Sequence, residues 1–65
     1  MSEELAALRN AVLELAEKYE RETVDGQERV RVHLDSIPAN LVGASLAQAT
    51  AETYESVARE LRGLL

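Results

Sequence analysis

The sequence predicts an α+β domain: a helix, a β-hairpin, then a long or broken helix, completed as a homodimer. Three observations predict it. Leu5, Leu8, Val12, Leu15 and Tyr19 recur at spacings of three and four, which is one apolar stripe of a helix. Asp25-Gly26 is a hairpin turn signal, because a type I′ turn needs positive φ at both central residues. Arg29-Val30-Arg31-Val32-His33-Leu34 then alternates polar and apolar residues, as a half-buried strand does.

The first helix is expected over residues 2–19. Ser2 can cap it, and Glu3 and Glu4 place negative charge at its positive end. Ala11 and Ala16 widen the apolar stripe, and Glu14 can pair with Lys18 on the wet face. The hairpin is expected over residues 20–34. Closing it at Asp25-Gly26 sets Val24 against Gln27, Glu22 against Arg29 and Glu20 against Arg31, and opposite charges facing each other across strands stabilise the pair. Val30, Val32 and Leu34 then face inward. A helical region follows over residues 37–65, with Asp35 or Ser36 as cap and Pro38 in the first turn. Gly43 or the stretch Thr50 to Thr53 can interrupt it. Tyr54, Val57, Leu61 and Leu64 resume the helical spacing. All of this reads as a single small domain, residues 1–65.

Composition removes several classes of function. A chain of 65 residues hides only ~60% of the surface its unfolded form exposes, so a monomeric core is thin. A partner copy would supply what one chain lacks. With no cysteine there is no disulfide, thiolate metal site or cysteine nucleophile, and the single histidine excludes any site needing two imidazoles. Seven basic against twelve acidic residues oppose broad phosphate-driven binding of nucleic acid. The only aromatic residues are two tyrosines, which leaves little to stack on bases. No membrane span or signal pattern is evident, and the expected location is cytoplasmic.

A few residues invite a chemical reading. Gly43, Ala47 and Ala51 lie four apart and form a narrow strip on a continuous helix, open to close approach by another helix. The strip suits ordinary packing within the chain or a homodimer contact, and it is the candidate oligomer interface. His33 stands two residues from Asp35, but an exposed strand histidine is the simpler reading. Glu52, Glu55 and Glu60 read as a solvated helical face. Ser36, in Leu34-Asp35-Ser36-Ile37, resembles the attachment serine of phosphopantetheine carrier proteins; a helix cap is the simpler role. No phosphate loop or metal spacing is present, so no catalytic, cofactor or metal residue is assigned and an enzyme is not expected. No small-molecule substrate is evident.

Two family resemblances bear on function. The run Val12-Leu13-Glu14-Leu15-Ala16-Glu17-Lys18-Tyr19, then Arg21-Glu22-Thr23-Val24-Asp25-Gly26 and Arg29-Val30-Arg31-Val32, resembles the opening of the Crp/Fnr-type helix-turn-helix domain. Leu46-Ala47-Gln48-Ala49-Thr50-Ala51 is similar to that family's first motif helix, and Tyr54-Glu55-Ser56-Val57-Ala58-Arg59-Glu60-Leu61 to its recognition helix. The resemblance implies a small DNA-binding regulator. Arg59 would read a base edge, Glu55 would accept from a cytosine, Ser56 would touch backbone or base, Arg62 would neutralise a phosphate, and Tyr54 stands at the motif's leading position. The chain also resembles small phage head–tail joining proteins of the lambda type, through a helix, an Asp-Gly hairpin and a second helix. That resemblance implies the alternative function, a non-enzymatic interaction or assembly module.

Overall fold

Residues 20–34 contain good helix formers: Glu20, Arg21, Glu22, Gln27, Glu28, Arg29 and Arg31. In the computed structural model, which describes Ser2 to Leu65, they are helix. The chain is two α-helices, α1 (Ser2–Asp35) and α2 (Leu41–Gly63), folded back on each other through residues 36–40. The Cα atoms fill a slab of 57 × 13 × 10 Å.

The expected α+β class is therefore corrected. No strand occurs among the described residues. Gly26 does not take the positive φ a type I′ turn requires. The helix expected at 2–19 runs on to Asp35 through the site of the proposed turn. The pairings of Glu22 with Arg29 and Glu20 with Arg31 do not form. Arg31 instead reaches Glu28 one helical turn away, at 3.4 Å, and Glu20 reaches Arg62. Of the three residues expected to face inward, only Val30 is partly covered; Val32 and Leu34 are exposed. Both family resemblances were drawn across this segment, which is helix.

A different periodicity organises the two helices. Along α1 the covered residues include Val12, Ala16, Tyr19, Thr23, Gly26, Val30 and His33. Along α2 they include Ala44, Ala47, Ala51, Tyr54, Ala58 and Leu61. Both series advance by alternating threes and fours, the seam of an antiparallel coiled coil. The fully buried positions of the seam are small residues. Among the described residues the buried apolar side chains are Ala16, Ala44, Ala51 and Ala58, and no large side chain is fully buried. Gly26 lies against Ala51 so closely that an added Cβ would sit 2.9 Å from the alanine methyl. Small residues thus let the backbones approach, and dispersion contacts along them replace the usual leucine core. Thr23, the one buried polar residue among the described residues, donates its hydroxyl to the Tyr19 carbonyl at 2.9 Å. Below it the Tyr19 and Tyr54 rings stack at 5.4 Å, tilted by 34°.

The turn satisfies the helix ends locally. The Ser36 hydroxyl donates to the Val32 carbonyl, and the Asn40 backbone N–H donates to the His33 carbonyl, both at 2.9 Å. These bonds use two of the last carbonyls of α1, which have no helical partner. The N-cap of α2 is Asn40, not the expected Asp35 or Ser36: its side-chain oxygen accepts from the Gly43 N–H at 2.8 Å. Pro38 accordingly lies in the connection and not in the first helical turn. Residues 43–53 contain no turn, so Gly43 and Thr50 to Thr53 interrupt nothing.

Candidate functional site

The helical repeat divides the surface of α2 into three sectors. One faces α1 and holds Ala44, Ala51 and Ala58. The expected oligomer strip largely belongs to this sector: Ala51 is buried, Ala47 is half-buried, and Gly43 lies near His33 and Asn40. Its close approach is made to α1 of the same chain.

The second sector is polar and carries most of the residues expected to touch DNA. Arg62 forms two parallel hydrogen bonds to the Glu20 carboxylate, at 2.8 and 3.1 Å. This fork is the strongest polar link between the helices. Its hydrogen bonds, opposed by desolvation and aided to a lesser degree by charge attraction, hold the Glu20 carboxyl below the usual carboxylate range. The same bonds push the Arg62 guanidinium up. Arg59 bonds Glu55 at 3.1 Å along the helix. Glu20, Gln27, Glu55 and Arg59 line a shallow open groove with Thr23 beneath. Ser56 is exposed, while Tyr54 is half-buried against Tyr19 and not free to meet a base. Both arginines of the expected recognition helix are therefore already engaged by carboxylates.

The third sector of α2 is apolar and points away from α1. Val42, Leu46, Ala49, Thr53, Val57 and Leu64 follow one another at helical spacing. Val42, Leu46 and Leu64 are 72%, 66% and 74% exposed. On α1, Leu8 and Leu15 project on the flank away from Glu20 and are also exposed. At the tip, Ile37 is 98% exposed, and Leu41, four residues on, is exposed as well. Sequence reasoning missed this surface. The signal was available: α2 from Leu41 to Gly63 has charges only at Glu52, Glu55, Arg59, Glu60 and Arg62, and Glu60 alone interrupts the apolar row.

The remaining candidates are placed locally. His33 is half-buried at the tip, with its Nδ1 3.4 Å from the Asn40 side-chain nitrogen, and Asp35 closes α1 two residues on. Glu52 accepts from Gln48 at 2.9 Å. Among the described residues no group of His, Asp or Glu is gathered to hold a metal ion. Nor is any described helix long and apolar enough to cross a membrane. Comparison of the chain with family models, with curated proteins and with solved structures finds no match.

Proposed function

We propose that this chain is a non-enzymatic assembly module that works by self-association of its helical hairpin. One observation carries the reading: the buried positions of the seam are alanine, glycine and threonine, while most of the large aliphatic side chains are exposed. Exposed apolar surface of this extent on a small chain marks an association site. A hairpin with a thin seam gains most from a second apolar layer, which is how four-helix bundles complete their cores. The DNA reading has less behind it. Residues 41–63 run as one helix without the turn between motif helices, and Arg59 and Arg62 are paired.

Sedimentation equilibrium across a wide concentration range tests the proposal. The mass is expected to approach twice the 7.2 kDa of the chain. A mass that stays at one chain throughout removes it. A duplex-DNA titration at low salt, where attraction to phosphate is least screened, is expected to show no binding.

A further inference from the structure

The apolar row on α2 is centred on Thr53. Counted from Thr53, Ala49 and Val57 lie four residues to either side, Leu46 and Glu60 seven, and Val42 and Leu64 eleven. The row is small at its centre and bulky toward both ends, so it can meet its own copy turned end for end, with Leu46 facing Glu60 as the one unlike pair. That is the requirement of a two-fold interface, in which one patch meets the same patch. We propose that two copies join through this row, α2 against α2 and antiparallel, with the two-fold axis passing beside Thr53. The inference rests on the assembly reading above and adds the surface, the direction and the register.

In this register every position but one meets an uncharged neighbour; Leu46 meets Glu60 of the second copy, whose carboxylate has to reach the rim of the interface. Thr53 meets Thr53 of the second copy, and Ala49 meets its Val57. Small residues at the centre permit close approach, and bulkier ones fill the space further out. Val42 meets Leu64 of the second copy, so two of the most exposed side chains of α2 cover each other. Glu60 is the one charge in the row. The two copies of Glu60 lie about 21 Å apart along the axis at 1.5 Å per residue, so they do not repel at contact range.

The α1 helices agree with the same axis. Gly26 faces Ala51, which fixes the level of every α1 residue along the hairpin. Leu15 then falls between the levels of Val42 and Leu46 of the second copy. Leu8 reaches the level of its tip, where Ile37 and Leu41 are exposed. The area is also adequate. The copies overlap from tip to tip over about 48 Å at 1.5 Å per residue, and across the 13 Å width of the hairpin this offers on the order of 600 Å² per copy, against the ~800 Å² per partner of an ordinary stable interface.

Because the chain has no cysteine, a single introduced thiol reports the axis directly. A disulfide needs Cα atoms within about 7 Å, which only residues facing their own copy achieve. Thr53→Cys is expected to give a disulfide-linked dimer at least ~10-fold faster than Gln27→Cys on the polar flank, because bound copies hold the two thiols at high effective concentration. A dimeric mass with slow linking of Thr53→Cys, or with Gln27→Cys linking as fast, overturns the interface while leaving self-association intact. A monomeric mass for the unaltered chain overturns both.

Discussion

Replacing Gly26 by alanine sets two effects of known size against each other. Alanine in the interior of a helix is favoured over glycine by about 1 kcal/mol. Against this, the new Cβ would lie 2.9 Å from the Ala51 Cβ and 3.4 Å from its Cα. Carbon atoms rest at ~3.5–4.0 Å, so the helices must part by roughly half an ångström or more. Neither atom of Ala51 can rotate away, since one is backbone and the other is fixed to it. Overpacking of this kind costs about 1–3 kcal/mol. Gly26→Ala is therefore expected to lower stability by ~1 kcal/mol net. Removing the opposing methyl should reverse the sign. In an Ala51→Gly background the alanine at position 26 has room, and it should stabilise by about 1 kcal/mol. Urea unfolding followed by circular dichroism measures all four proteins. It must be run at one chain concentration, because association shifts the midpoint. Additive effects, with Gly26→Ala stabilising in both backgrounds, would refute the close approach of α1 and α2 at this point. A destabilisation that Ala51→Gly does not relieve would point to a backbone requirement at Gly26 instead.

Two further outcomes follow from the polar links. The Glu20 carboxyl is held below its ordinary range by Arg62, so its contribution is complete above the unfolded-state value and is lost as pH falls through the depressed folded value. Glu20→Gln should narrow the stability difference from the unaltered chain in acid and leave it widest near neutrality; equal differences at all pH values would contradict the pair. Asn40→Ala removes the side chain that caps α2 and should cost ~1 kcal/mol, with Asn40→Asp recovering most of it. A loss confined to a few tenths in thermal unfolding would mean that the cap does not hold the turn.

The first helix was legible because Leu5 to Tyr19 repeat large apolar residues at helical spacing. Beyond Tyr19 the same spacing continues through Thr23, Gly26, Val30 and His33, only one of which is a large aliphatic residue. A pattern search that looks for bulk does not see a seam made of small residues. Two local features filled the gap with a wrong answer. Asp25-Gly26 is a turn pair when φ is positive, but here the glycine serves the close approach to Ala51. The alternation from Arg29 to Leu34 spans only six residues, and Val32 and Leu34 owe their place in it to solvent-facing positions of a helix.

In α2 the strip Gly43, Ala47 and Ala51 was visible, and it falls partly on the true seam. Ala44, Ala51 and Ala58, seven apart, mark that seam better. The Glu20–Arg62 link joins residues 42 positions apart. It depends on the relative register of the helices, about which neither local propensity nor spacing speaks. The outer row from Val42 to Leu64 was readable in principle, once α2 is known to be one unbroken helix.

The division of labour between small and large residues is tested most directly by isotope-filtered nuclear Overhauser measurements on a mixed sample of labelled and unlabelled chains. The account predicts contacts from Gly26 to Ala51 within one chain, and contacts from Val42 to Leu64 between chains. Gly26–Ala51 contacts appearing between chains, or Val42–Leu64 contacts missing from the filtered spectrum of a dimer, would contradict it.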